Sequence, residues 1–166
     1  AQFYAIGVDM QDPYWIYGGL QDNHSFMGPS ETRRWAGILN DDWMQNGFGD
    51  GMYWQADPTD SRFSYGGSNG GNYFRYDTKT GDILDIAPNA PLGESYRFDW
   101  TSPMMLSQHD PDVLYVAGNR FFTSQDKGES WTATEDLSRQ VDRDQIEMMG
   151  VLGSDISISR NDGTST

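Results

Sequence analysis

Short runs of apolar, aromatic and β-branched residues recur along this chain, separated by clusters of Gly, Asn, Asp and Pro. Such runs favour short β-strands joined by tight turns over helices. The pattern predicts three units of four strands each. The predicted strands are Tyr4–Val8, Trp15–Gly19, His24–Met27 and Trp35–Leu39; then Met52–Ala56, Phe63–Gly67, Tyr73–Tyr76 and Ile83–Ile86; then Met104–Ser107, Val113–Ala117, Arg120–Thr123 and Ser130–Ala133.

An internal repeat supports this division. Asp-Pro pairs stand at 12–13, 57–58 and 110–111, spaced by 45 and 53 residues, and an aromatic strand ending in glycine follows each pair. One four-stranded propeller blade occupies roughly 40 to 50 residues. We therefore predict an all-β chain with about three four-stranded antiparallel blades of a larger β-propeller. The blades are expected at 1–39, 40–86 and 87–133, and residues 134–166 are expected to connect to a further blade.

The turns of the second unit fit hairpins. Residues 66–72 (GGSNGGN) and 77–82 (DTKTGD) supply the Gly, Asn and Asp that tight turns with positive φ require. Only Arg143–Met149 has a helix-like pattern. The segment Ser159–Gly163 is similar to a degenerate copy of the motif described next, and we interpret it as a loop that leads into another blade.

One motif is specific. Ser124, Asp126, Gly128, Ser130 and Trp131 match the spacing Ser-x-Asp-x-Gly-x-Ser/Thr-Trp, between the third and fourth strands of the third unit. In this position the chain resembles the Asp-box, or BNR, repeat family of β-propellers. The side chains of such a turn bond its backbone donors, the glycine accepts a strained conformation, and the tryptophan anchors the hairpin. The motif therefore predicts a structural role and no catalytic one.

Other runs resemble the sortilin-type, glycosyl-hydrolase-like subgroup of that family. They are residues 17–30 (YGGLQDNHSFMGPS), residues 37–43 (GILNDDW) and the turn at 75–81. This resemblance implies a secreted, periplasmic or cell-surface protein whose ligands meet the loops between the second and third strands and those between blades. Since propellers have about four to eight blades, the remaining blades are expected on the same or a neighbouring chain.

The net charge of the chain limits which classes of partner are expected. Lys and Arg number 11 against 25 Asp and Glu, giving a net charge of −14. Such a surface repels phosphate backbones, so nucleic acid is not expected as a partner. No apolar run approaches the roughly 20 residues that span a bilayer, so membrane insertion is not expected. With no cysteine in the chain, thiolate metal sites and disulfides are excluded.

Candidate chemistry concentrates in the predicted loop Asn40–Gly51. Asp41, Asp42 and Asp50 are the carboxylates of this loop. They are candidate Ca²⁺ ligands, since calcium prefers oxygen ligands, and candidates for one half of a glycosidase carboxylate pair. Turn chemistry and solvation are the alternative, because the spacing of a calcium-binding loop is absent.

A second group of candidates is suited to ligand binding. Gln21, Asp22 and Asn23 precede the third strand of the first unit, and their amide and carboxylate groups suit sugar hydroxyls. Trp43 and Trp100 lie in predicted loops between blades, where an indole ring can stack on a carbohydrate. Asx-turn formation remains the alternative for Asp22 and Asn23.

The sequence alone leaves three functions open. The first is an extracellular recognition or scaffold propeller that binds a glycan or a protein ligand on its loop face. The second is a propeller-type glycoside hydrolase that uses paired carboxylates. The third is a structural piece of a secreted or cell-surface assembly. Ca²⁺ is the one candidate cofactor.

Overall fold

The computed structural model describes residues 2–139 and 141–155. It is an all-β structure in which three four-stranded antiparallel sheets follow one another along the chain. The first sheet contains β1 (Gln2–Val8), β2 (Trp15–Gln21), β3 (Ser25–Pro29) and β4 (Met44–Gly47). The second contains β5 (Gly51–Ala56), β6 (Phe63–Ser68), β7 (Asn72–Asp77) and β8 (Ile83–Asp85). The third contains β9 (Met104–Leu106), β10 (Leu114–Ala117), β11 (Phe121–Ser124) and β12 (Thr132–Ala133).

Each sheet is a meander in which neighbouring strands pair in chain order, the arrangement of a propeller blade. We call the end that carries the turns 21–25, 68–72 and 117–121 the upper edge, and the opposite end the lower edge. Because the strands alternate in direction, the connections 47–51 and 85–104 between successive sheets also lie at the upper edge. The predicted fold class is confirmed.

The sheets pack face to face through two apolar clusters. Tyr17 and Met27 of the first sheet pack with Trp54 and Tyr76 of the second. The first two sheets approach closely at Gly19, where a Cβ atom would lie 2.0 Å from the carbonyl carbon of Gly51. Glycine is required here because no side chain fits between the two backbones.

The second cluster joins the other two sheets. Tyr65 and Tyr73 of the second sheet pack with five buried residues of the third, namely Met104, Leu106, Leu114, Val116 and Phe122. At both junctions, the face of a sheet that carries a buried tyrosine of its second strand packs on the opposite face of the next sheet. The core is therefore divided between the junctions of the sheets.

Eleven of the twelve predicted strands are confirmed within two residues at either end, and the fourth strand of the first unit is wrong. Trp35–Leu39 forms no strand, and Met44–Gly47 pairs with β3 instead, with Met27 opposite Met44. The apolar side chains of the predicted segment face solvent: Trp35 is fully exposed, and Gly37 has a φ of +77° that interrupts extended backbone. The predicted loop Asn40–Gly51 thus contains a strand, and the first sheet extends beyond residue 39.

The three Asp-Pro pairs do not occupy equivalent positions in the three sheets. The residues directly after the first strands are Asp9, Asp57 and Ser107, and each amide donates to the carbonyl six positions further on, at Trp15, Phe63 and Val113. These equivalent positions are spaced by 48 and 50 residues. Asp57-Pro58 therefore stands three residues before the position equivalent to Asp12 and Asp110, which Asp60 occupies.

The segment after the third sheet differs from the predicted helix. Arg143–Gln145 forms one 3-10 turn, and Glu147–Met148 pairs with Val151–Leu152 as a short hairpin (β13 and β14). Short 3-10 turns also occur at Asn40–Asp42 and Gly153–Asp155. Within 2–139 and 141–155, no helix has the length and apolar character that a membrane crossing needs. The segment Ser159–Gly163 lies outside the described residues.

Candidate functional site at the upper edge

The upper edge joins the first sheet to the second through Asp22 and Asp50. The Asp22 amide donates to Asp50 Oδ1 at 3.1 Å, and the His24 amide donates to the Gly49 carbonyl at 2.6 Å. Asp22 and His24 have φ values of +46° and +75°, which non-glycine residues adopt only in special turns. The turn Asp22–His24 is thus held against the connection between the two sheets.

The same network continues to the third sheet. Asn69 Oδ1 accepts the Asp50 amide at 3.1 Å, and the Asn69 amide donates to the Asp50 carbonyl at 3.0 Å. The next amide, of Gly70, donates to the Trp100 carbonyl at 3.2 Å. Hydrogen bonds therefore run from the turn of the first sheet, through that of the second, to the connection that leads into the third.

This surface offers mixed chemistry to a ligand. Gln21, Asp22 and Asn23 are exposed, and Asp50 is half-buried. Trp100 is 42% exposed, so part of its indole ring faces solvent. Carboxylates and amides on the same edge as an open aromatic ring suit a polyhydroxylated or peptide ligand. All five residues are among the candidates predicted from the sequence, and their role in binding stays a prediction. Asn69 is not among those candidates, and only its place in a glycine-rich turn of the same edge would have indicated it.

The other predicted residues lie elsewhere. Asp41, Asp42 and Trp43 precede β4 at its lower-edge end, whereas Asp50 follows β4 at the upper edge. Asp42 accepts the Leu39 amide at 2.7 Å and also binds Arg34. The Leu39 hydrogen bond, with Arg34 in support, lowers the pKa of Asp42. The expected grouping of Asp41 and Asp42 with Asp50 is therefore not formed.

Trp43 lies on the face of the first sheet that points away from the second. A Cβ atom at Gly28 would stand 2.7 Å from its ring, and a groove of about 320 Å³ runs beside it. Trp43 is thus separate from Trp100. Within 2–139 and 141–155, no three His, Cys, Asp or Glu side chains are grouped as metal ligands.

A cavity lies at the lower edge, between the first and second sheets. It measures about 420 Å³, and its lining includes Gln11, Trp15, Arg62 and Lys79. Arg62 is held by Asp77 through Nε at 2.8 Å and Nη2 at 2.5 Å. This pairing with Arg62 lowers the pKa of Asp77. Sequence reasoning missed this cavity because the pattern assigned Trp15 to a strand and the other three residues to ordinary turns.

The corresponding position between the second and third sheets is filled by the turn 124–131. Asp126 accepts the Ser130 amide at 2.8 Å and its hydroxyl at 2.5 Å, and Ser124 Oγ accepts the Gly128 amide at 2.8 Å. Hydrogen bonds from Ser130 lower the pKa of Asp126 to about 2. The turn is therefore a closed hydrogen-bonded unit.

This turn also contacts the second sheet. Trp131 Nε1 donates to the Ile86 carbonyl at 2.8 Å, and a Cβ atom at Gly128 would lie 2.8 Å from the Ile86 side chain. Gly128 has a φ of +89°, so glycine serves both the turn and the close contact. The Lys127 ammonium reaches Asp57 at 3.0 Å. The turn thus holds two sheets together and presents no free carboxylate for chemistry.

Comparisons with known proteins find a distant similarity to a solved structure. No protein-family model and no curated protein matches the chain. A solved structure described as "YCF48 bound to D1 peptide" is similar with a TM-score of 0.44 and 18% identity, over 78% of this chain and 39% of that chain. The chain thus spans well under half the length of that neighbour.

Proposed function

We propose that this chain is part of a recognition propeller of the Asp-box kind, which binds a glycan or protein ligand at its upper edge. One observation carries the proposal: hydrogen bonds connect Asp22 to Asp50, Asp50 to Asn69, and the adjacent Gly70 amide to the Trp100 carbonyl, across the loops at the upper edge. A surface built from several loops and tied together in this way is preorganised, so it loses little entropy on binding. The exposed ring of Trp100 supplies its apolar contact.

The turn 124–131 supports the assignment to the Asp-box kind. Its serine and aspartate side chains bond backbone amides of the same turn, and its tryptophan anchors to the neighbouring sheet. These are the contacts that the motif predicts. A secreted, periplasmic or cell-surface location, and further blades on the same or a neighbouring chain, belong to this proposal.

The distribution of carboxylates favours binding over glycoside hydrolysis. A hydrolase needs two carboxyl groups about 5 to 9.5 Å apart across a cleft. Asp41 and Asp42 stand at the opposite end of β4 from Asp50, and the cavity of about 420 Å³ lies at the lower edge. Asp22 is the carboxylate residue that hydrogen-bonds to Asp50, and it belongs to an exposed turn.

Glycan and peptide arrays probed with the labelled chain test this function. For any ligand that binds, we expect Trp100→Ala to weaken affinity by about five-fold to a hundred-fold, since losing a stacked aromatic costs about 1 to 3 kcal/mol. Asp50→Asn keeps the acceptor for the Asp22 amide but removes the charge, and therefore isolates electrostatic recognition.

Trp35→Ala is the matched control, because Trp35 is fully exposed and lies outside the upper edge. Binding that survives both Trp100→Ala and Asp50→Asn contradicts the proposal. Turnover of glycosides that is lost in Asp50→Asn replaces it with the hydrolytic alternative.

A further inference from the structure

The first and third sheets each leave an apolar face uncovered among the described residues. On the first sheet, Phe3, Ile6 and Val8 are 43%, 67% and 54% exposed. On the third sheet, Met105 and Phe121 are 54% and 40% exposed, and Phe121 stacks on Tyr115 at 5.7 Å. We call these surfaces the front face, on the first sheet, and the rear face, on the third. Contiguous apolar faces of this kind mark interaction surfaces.

The rear face is equivalent to surfaces that are covered inside the chain. Three tyrosines occupy equivalent positions in the second strands, namely Tyr17, Tyr65 and Tyr115. In each sheet, the amide directly after the first strand donates to the carbonyl of the residue two positions before this tyrosine. Tyr17 and Tyr65 are buried against the next sheet. Tyr115 holds the same position in the third sheet, so its face has the character that receives another sheet.

The front face carries the complementary feature. Gly28 lies opposite Ile16, and Ser124 lies opposite Leu114, which are equivalent positions of the two second strands. Met27 pairs with Met44 and Thr123 pairs with Thr132. The residue directly before the fourth strand, next to Gly28 or Ser124 in this register, is Trp43 in the first sheet and Trp131 in the third. Trp131 donates to the Ile86 carbonyl of the preceding sheet. Trp43 stands beside the groove formed with Phe3, Leu20 and Phe26.

We propose that the front face binds the rear face of a second copy of this chain, head to tail. The rear face has a carbonyl equivalent to that of Ile86. The Ile86 amide donates to Tyr73, and the Thr134 amide donates to Phe121 in the same register. Trp43 of one copy therefore donates to the Thr134 carbonyl of the other. That carbonyl accepts from Arg120 Nη1 at 2.8 Å and has a second lone pair for the indole N–H.

The described residues of two copies supply six four-stranded sheets, within the range of about four to eight blades that closes a propeller. A head-to-tail contact closes into a ring when its rotation fits, and this pairing uses both uncovered faces of both copies. It is independent of the ligand proposed for the upper edge. Each copy has a net charge of −14, so repulsion opposes pairing at low salt and screening favours it.

Sedimentation velocity of the purified chain, at protein concentrations from 1 to 200 µM (~0.02 to 4 mg/ml) and at two salt concentrations, tests the proposal. We expect a species of twice 18.7 kDa, favoured by concentration and by salt. Ile6→Glu on the front face and Phe121→Glu on the rear face should each weaken association at least ten-fold. Met10→Glu is the matched control, because Met10 is 89% exposed and follows the first strand at the lower edge.

Mixing the two variants distinguishes head-to-tail pairing from other geometries. Ile6→Glu retains an intact rear face and Phe121→Glu an intact front face, so the mixture should form a dimer that neither variant forms alone. Circular dichroism of each variant verifies its fold. A chain that stays monomeric throughout, or a dimer that either substitution leaves unchanged, overturns the proposal.

Discussion

Lys127 and Asp57 form an ion pair between two sheets, with Lys127 Nζ 3.0 Å from Asp57 Oδ2. The Asp57 carboxylate is fully buried, and Thr59, Asp60 and Tyr65 also donate to it. Burial opposes its ionisation, but the hydrogen bonds from Thr59 and Lys127 outweigh that effect and lower the pKa of Asp57. The Lys127 ammonium, from the turn 124–131 of the third sheet, therefore compensates the negative charge of the buried Asp57 carboxylate, which directly follows β5 of the second sheet.

Replacing Lys127 by Ala should destabilise the fold by about 1 to 3 kcal/mol, because a buried carboxylate loses its cation but keeps its other donors. Urea unfolding monitored by tryptophan fluorescence measures this change. The control is Lys79→Ala, in the corresponding turn of the second sheet, where Lys79 is exposed; we expect a change within about 0.5 kcal/mol. Equal effects of the two substitutions contradict the role given to Lys127.

Trp131→Phe should cost about 0.5 to 1.5 kcal/mol, because Phe keeps much of the ring but cannot donate to the Ile86 carbonyl. Thermal unfolding by calorimetry detects a loss of this size. Trp35→Phe makes the same chemical change at a fully exposed site and should leave the transition unchanged. A Trp131→Phe protein as stable as the wild type shows that the indole N–H does not hold the sheets together.

The Asp126 carboxylate predicts a specific pH dependence. Its pKa in the folded state is about 2, below the roughly 3.9 of an unfolded aspartate. The stabilisation it contributes is therefore complete above about pH 4 and is lost as pH falls through 2. The stability difference between wild type and Asp126→Asn should be constant from pH 5 to 7 and shrink toward pH 2. A difference that is the same at pH 2.5 and pH 6 rules out this linkage.

Gly19→Ala tests the close approach of the first two sheets. The new Cβ atom meets the Gly51 backbone at 2.0 Å, and a backbone cannot rotate away as a side chain can. We expect a loss of about 3 kcal/mol or more, at the upper end for overpacked sites. Gly37→Ala is the comparison, since a Cβ there meets nothing within 4 Å, and its positive φ limits the cost to about 1 to 2 kcal/mol. A milder effect at Gly19 than at Gly37 contradicts this packing.

The strands of the second and third sheets were predictable because their apolar residues face the junctions between sheets. Tyr65 and Tyr73, or Leu114 and Val116, are buried there, and that burial produces the pattern. The fourth strand of the first sheet carries no such signal. Met44–Gly47 is an edge strand joined to β3 by backbone bonds, and its residues MQNG show no alternation, whereas Trp35 gave a strong apolar signal from an exposed loop.

That one error determined which candidate residues were placed at the edge where the structure has them. Asp22 and Asp50 were predicted on a common face, and they are hydrogen-bonded. Asp41, Asp42 and Trp43 were assigned to the same face only because the segment before them was taken as the strand. Position at one end of a sheet or the other depends on strand direction, and a misplaced strand moves every loop residue beside it to the wrong end.

Hydrogen–deuterium exchange of the chain with and without an array-selected ligand is the sharpest test of ligand binding at the upper edge. We predict added protection at 21–24, 49–51, 69–70 and around Trp100, with Gln11, Trp15, Arg62 and Lys79 unchanged. Protection confined to the lower-edge cavity, with the upper edge unaffected, would contradict ligand binding at the upper edge and would place the binding site at the opposite end of the sheets.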